Sequence, residues 1–245
     1  MKILKMLEER KINSDEAAKL LEAVGKGKGD DLSSRIVESV VDGVSSIVGA
    51  IPGTLNNAFS ITVTEEKEMK VKKGDCFSLK SVGSAITFDT VDGDTMIIKP
   101  SSGIVRTKKE NATIGSKIVG GTMDVIYPES LALSIKDAGG TIEGKGGATL
   151  SLKQVGGSTR LSFDKIDDVT IDSKGGSLTL YLGDCDVSFD ISAPHGEITF
   201  DVSAEFSEKS NDCVKGTIKN GKGTLVIRSF SGDVSVLPLK RKEKK

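Results

Sequence analysis

Glycine recurs along this chain at a spacing that few folds can use. Gly83, Gly103, Gly121, Gly140, Gly157, Gly176, Gly196, Gly216 and Gly232 lie 20, 18, 19, 17, 19, 20, 20 and 16 residues apart. Several are doubled, as Gly120-Gly121, Gly139-Gly140, Gly156-Gly157 and Gly175-Gly176, and His195 precedes Gly196. Between them the apolar residues keep a period of two. Leu178, Leu180 and Leu182 alternate with Ser177, Thr179 and Tyr181; Val187, Phe189 and Ile191 alternate likewise, as do Ile198, Phe200 and Val202. Such alternation makes strands with one buried face. A repeat of this length, with a strand just after each glycine and a second near its middle, reads as a mainly β chain folded as a single-stranded β-solenoid, or β-helix. Glycine is needed at each corner because the turn requires positive φ or close backbone approach. Coils about 4.8 Å apart would make eight or nine of them a rod roughly 40 Å long. A two-sheet antiparallel sandwich, which also turns often, is the alternative.

Before residue 59 the period is helical. Residues 1–24 read as a helical hairpin. Leu4 and Leu7, with Ile3, form one apolar face; Leu20 and Leu21, with Ala17 and Val24, form the other. Ser14 is a good N-cap for the second helix, followed by Asp15 and Glu16 at its positive end. Residues 25–31, Gly-Lys-Gly-Lys-Gly-Asp-Asp, are a flexible linker. Residues 32–55 form an amphipathic helix with Val37, Val41, Val44, Val48 and Ile51 as its seam, ended by Pro52-Gly53. That seam can cap the first coil, join two copies of the chain, or lie on a membrane surface. Residues 56–239 are the solenoid. Residues 240–245 are a basic tail which, with Pro238, would block the edge of the last strand.

Composition narrows the function. Among 245 residues there are only ten aromatics, eight Phe and two Tyr, which disfavours a surface that stacks bases or sugar rings. A net charge of −1 disfavours a dedicated nucleic-acid binder. No apolar run is long enough for a transmembrane helix, and the first ten residues are unlike a signal peptide. Cys76, Cys185 and Cys213 are odd in number and far apart, so they are expected as buried small residues in a reducing compartment rather than as disulfides or zinc ligands.

Few residues invite chemistry. His195, in Ala-Pro-His-Gly, is expected to be a corner residue. Asp167 and Asp186 fall at matching places after their corner glycines, with Asp164, Asp184 and Glu205 nearby. Stacked in a column, these carboxylates could hold Ca²⁺ or serve as an acid/base pair on a polysaccharide; otherwise they keep a corner soluble. No catalytic residue, cofactor or metal ligand is assigned.

The run Ile3-Leu-Lys-Met-Leu-Glu-Glu-Arg-Lys-Ile-Asn-Ser-Asp-Glu-Ala-Ala-Lys-Leu-Leu-Glu-Ala23 resembles the SHOCT-like helical hairpin. The stretch Gly216 to Val236, with its Gly-Lys-Gly turn and Ser-Gly-Asp-Val strand, resembles the closing coils of the bacterial and archaeal putative-adhesin β-helix family. The two modules in this order are similar to envelope-stress-associated members of that family, and the family has no established catalytic residues to carry over. The resemblance implies a non-enzymatic scaffold that works by association with a protein partner or with itself. It also implies a place in the cytoplasm, with peripheral contact at the inner membrane face as a further option. A carbohydrate-active β-helix and a self-polymerising scaffold are the alternatives.

Overall fold

The computed structural model describes residues 66–240. The hairpin residues Leu4, Leu7, Leu20 and Leu21, the seam Val37, Val41, Val44, Val48 and Ile51, the linker and the tail from residue 241 lie outside the described residues.

The described chain is β throughout, in two sheets that face each other. It opens with β1 (Lys67–Lys70) and builds a first rung from β2 (Cys76–Val82) and β3 (Ala85–Val91), one strand in each sheet. It reverses through β4 (Thr95–Pro100) and β5 (Ile104–Glu110), then returns through β6 (Thr113–Val119) and β7 (Thr122–Pro128). Three rungs follow: β8 (Ala132–Ala138) with β9 (Thr141–Lys145), β10 (Thr149–Val155) with β11 (Ser158–Phe163), and β12 (Asp168–Lys174) with β13 (Ser177–Leu182). The chain then makes β14 (Val187–Ser192) and β15 (Ile198–Phe200) and reverses through β16 (Glu205–Lys209) and β17 (Cys213–Ile218). It ends with β18 (Gly223–Ser229) and β19 (Val234–Pro238).

The solenoid reading holds for the rung, and the order of rungs departs from a simple coil. One sheet runs β1-β4-β7-β3-β9-β11-β13-β19-β15, the other β5-β6-β2-β8-β10-β12-β18-β14-β17-β16. The first rung of the chain, β2/β3, is therefore inserted between β6/β7 and β8/β9, with all its pairings parallel. The last, β18/β19, is inserted between β12/β13 and β14/β15 in the same way. Only residues 132–182 stack in chain order. The reversed strands form the ends: β5 lies antiparallel on β6 and β4 on β7, while β17 lies antiparallel on β14 and β16 on β17.

The order also bears on the expected last edge. Over Val234–Val236 the final strand is covered by β15, and only Leu237 and Pro238 run beyond it. The ends are blunted by the outer strands themselves. β5 carries Arg106, Lys108, Lys109 and Glu110; β16 carries two glutamates and a lysine and has a register shift at Phe206/Glu208; β15 is three residues long. Charge, bulges and shortness each discourage edge-to-edge pairing.

The glycine spacing records one physical column. Gly103, Gly121, Ser84, Gly140, Gly157, Gly176, Gly232 and Gly196 stack at the corner where each strand of one sheet passes to the other, in rung order rather than chain order. Their carbonyls pass hydrogen bonds along the column: Ala85 N donates to Gly121 O, Thr141 N to Ser84 O, Ser158 N to Gly140 O and Ser177 N to Gly157 O, at 2.9–3.2 Å. A Cβ on Gly157 would land on Gly140 O, and one on Gly176 on Gly157 O, at φ of +79° and +88°. Close approach and left-handed backbone thus both demand glycine there. Gly216 does not belong to the column. It lies within β17, where a side chain would strike the ring of Phe189 and the carbonyl of Glu205.

Between the sheets the inward residues stack rung upon rung. Leu79, Ile135, Leu152, Ile171 and Ile227 share one register on one sheet. Phe88, Leu161, Leu180 and Val236 come from the other, and all nine are at most 1% exposed. Five to seven residues per strand suffice because each inward side chain is covered above, below and across the gap.

Candidate interaction surface

None of the chemistry-bearing residues singled out from the sequence converge. His195 is exposed in a turn, its ring edge-on to Phe230 at 5.1 Å, as a corner residue. The acidic column is not formed. β18 lies between the strands that follow Asp167 and Asp186, so those two carboxylates are separated by a rung. Asp167 pairs with Lys165 at 2.8 Å. Asp186 accepts from the backbone N–H groups of Asn220 and Lys222 at 3.0 and 3.1 Å, with Lys222 Nζ at 3.7 Å. The Lys222 N–H above all holds its carboxyl below the ordinary 3.8. Asp186 thus organises the β17–β18 turn. Among the described residues no group of three His, Cys, Asp or Glu could hold a metal ion.

The cysteines are free; Cys185 is buried as expected, whereas Cys76 and Cys213 are half-buried. Both lie on outward positions of β2 and β17, where the period-two alternation places them. Burial pushes the Cys185 thiol up to about 11, so it stays protonated and inert at neutral pH.

The sequence reading missed a buried polar column beside the glycine corner. Ser81, Asp137, Gln154, Ser173 and Ser229 occupy one inward register on β2, β8, β10, β12 and β18, each at most 3% exposed. They tie the corners down. Ser173 Oγ donates to Gly175 O and Ser229 Oγ to Gly232 O, both at 3.0 Å. Asp137 accepts from Gly140 N at 3.1 Å and from Ser81 Oγ. Gln154 Oε1 accepts from Thr159 Oγ1 at 2.8 Å. Gln154 lies opposite Asp137 in register, and its Nε2 has no hydrogen-bond partner.

Burial pushes the Asp137 carboxyl above its ordinary 3.8, outweighing the hydrogen bonds from Ser81 and Gly140. The native state therefore holds a proton that the unfolded chain has released, and stability falls as pH rises from about 4 through the raised native value. Asp137→Asn, which keeps the acceptor for Gly140 and sets an amide N–H₂ against the Ser81 hydroxyl, which can accept, should remove this dependence. Its melting temperature relative to the parent should climb as the pH rises above about 4, as read by circular dichroism. A difference that stays flat would show that Asp137 is charged in the fold.

The surface best suited to contact lies at the β16 end. One sheet stops at the short β15 while the other continues through β17 and β16, so the gap between sheets opens there. Three aromatics fill it. Phe189 and Phe200 are stacked with centroids 4.6 Å apart, and Phe206 stands edge-on to them at 6.0 and 5.5 Å. Gly216 leaves the room that the Phe189 ring occupies. Phe206 remains 38% exposed, with Lys209 Nζ 4.5 Å from its ring centroid. Ile198, Val202 and Ala204 are partly buried against the core. Aromatic rings offer large contact area at low entropy cost, and a patch ringed by Glu205, Glu208 and Lys209 has the apolar centre and charged rim of an interface.

Comparison with known proteins bears on this domain and on the segment before it. A family model described as Toastrack DUF4097 matches residues 56–237, and one described as a SHOCT-like domain matches residues 1–29. No curated protein matches the chain. Among solved structures, the crystal structure of a putative cell adhesion protein from Clostridium sporogenes is similar, at 13% identity and a TM-score of 0.50. The likeness covers 71% of this chain and 99% of that one, and it is a likeness of fold.

Proposed function

Since the chain belongs to the Toastrack DUF4097 family, we propose that it is a non-enzymatic scaffold that acts by protein–protein association, at the inner face of the cell envelope. The observation that carries the reading is the aromatic cluster of Phe189, Phe200 and Phe206 at the open end of the two sheets. The SHOCT-like match over residues 1–29 supports a second module for association in addition to the β domain. The carbohydrate-active alternative has lost its support, because the carboxylates it needs are a rung apart and occupied with lysines and backbone donors.

The reading is tested at Phe206, which is the most exposed of the three rings and sits on the outermost strand. Phe206→Asp should leave the far-ultraviolet circular dichroism spectrum unchanged, because the core ends at Phe189 and Phe200. In sedimentation equilibrium the parent should associate with rising concentration and the variant should weaken that association roughly tenfold, the loss expected of one central aromatic. A parent and variant that sediment alike at every concentration would remove this end from the account.

A further inference from the structure

The turn between β17 and β18 is the one place where this sequence sets a glycine directly after an asparagine, as Asn220-Gly221. Lys219 and Gly221 take positive φ there, +58° and +68°, and Asn220 is exposed. Asp186 holds the turn. Its Oδ1 accepts from the N–H of Asn220 at 3.0 Å and from that of Lys222 at 3.1 Å, and its Oδ2 accepts from Asn220 Nδ2 at 3.4 Å. The N–H between them, that of Gly221, donates to Ile218 O at 3.4 Å. This is the longest of the backbone hydrogen bonds in the described turns and corners, which otherwise run from 2.8 to 3.2 Å. The Gly221 nitrogen is thus weakly engaged. It follows an exposed carboxamide directly in the chain, and glycine has no side chain to hinder approach.

We propose that Asn220 is a site of spontaneous covalent modification, in which its carboxamide is lost to attack by the Gly221 nitrogen. The nitrogen forms a bond to Asn220 Cγ, the Cγ–Nδ2 bond breaks, and the Gly221 proton departs with Nδ2 as ammonia. Water then opens the five-membered imide at either carbonyl. One opening gives aspartate; the other gives isoaspartate, in which the main chain runs through the former side chain. Nothing is oxidised or reduced, and water is the co-reactant. The other asparagines of the described chain, Asn111 and Asn211, are exposed as well, but Ala112 and Asp212 follow them, and a side chain there crowds the attacking nitrogen.

The place of the turn gives this reaction its weight. Either product replaces a neutral amide by a carboxylate beside Asp186. The Lys222 N–H above all keeps Asp186 ionised, so two like charges would share one turn. Isoaspartate also adds a methylene to the main chain between the two N–H groups that Asp186 Oδ1 gathers. The chain beyond has little room to absorb the shift, since a Cβ on Gly223 would land on Ile166 O. Gly223 begins β18, and the β18/β19 rung is paired with the rungs on both sides of it. A slow change at one exposed amide therefore loosens the entrance to an internal rung and limits the lifetime of the fold. This inference is independent of the aromatic end.

The test is ageing of the full chain in mildly alkaline buffer, followed by peptide mapping with mass spectrometry and by thermal melts. The peptide that contains Asn220 should gain the mass difference between amide and acid before those that contain Asn111 and Asn211. The aged parent should melt below the fresh one. Asn220→Gln keeps the amide but would need a larger ring, so it should stay unmodified and melt alike before and after ageing. Asn220→Asp, the product with an unaltered main chain, should melt about 2–4 °C below the parent at neutral pH. That deficit should shrink in acid as the carboxyls protonate. Conversion at Asn111 or Asn211 first, a converted chain that melts with the fresh one, or an Asn220→Asp variant as stable as the parent would each overturn the proposal.

Discussion

A chain that stops at Lys222, and so lacks β18 and β19, should fail to fold. In a solenoid stacked in chain order such a cut would trim one end rung and leave the rest standing. Here it removes the rung on which β12/β13 and β14/β15 both rest. Leu225, Ile227, Val234 and Val236, all 0% exposed, go with it. At about 1.5–3 kcal/mol for each buried side chain the loss is about 6–12 kcal/mol, which is comparable with the whole stability of a domain. Far-ultraviolet circular dichroism should show the β signal collapse, with no cooperative melt. A truncated chain that melts cooperatively near the parent's temperature would show that β14/β15 can dock directly on β12/β13.

Leu180→Asp should be nearly as damaging, and Thr179→Asp close to silent. Leu180 is 0% exposed, packed in register between Leu161 and Val236. A carboxylate there has no partner in an apolar gap, and the variant loses a large side chain besides; a cost of about 4–5 kcal/mol or more is expected. Thr179 points outward between Arg160 and Ser235. An Asp at that place gains a guanidinium neighbour to set against its poorer strand propensity, so the change should stay within about 1 kcal/mol. Urea unfolding measures both. Equal destabilisation by the two would reverse the assignment of faces.

The rung was legible in the sequence because its causes are local. Alternation at Leu178, Leu180 and Leu182 sets which face is buried, and a glycine is obligatory wherever a Cβ would meet the carbonyl of the rung below. The order of rungs was not legible, because it depends on which strands reverse; β4 alternates as the parallel strands do, and the charge of β5 and β16 marks them as exposed without saying that they reverse. Gly216 shows the ambiguity: its spacing fits the corner series, but its small size serves the Phe189 ring. A sign was present in the doubled glycines, which stop at the reversals and stand only where parallel rungs turn. The acidic column failed for the same reason, since counting along the chain skipped the rung that is inserted later. Asp137 could have been noticed by parity alone, as a carboxylate at an inward position of an alternating strand.

The inserted last rung also bears on how the molecule comes into being. A ribosome delivers β14 and β15 well before β18 and β19, yet the latter are the strands on which the former must lie. During synthesis β12 and β13 therefore present bare parallel edges, and β14 can pair only with the reversed β17. A nascent rod cannot lengthen coil by coil as it emerges. Its completion waits on the final strands, and contacts between residues so distant in sequence form slowly. The interval before them is the time when a sheet so well blunted in its finished state is open to other chains.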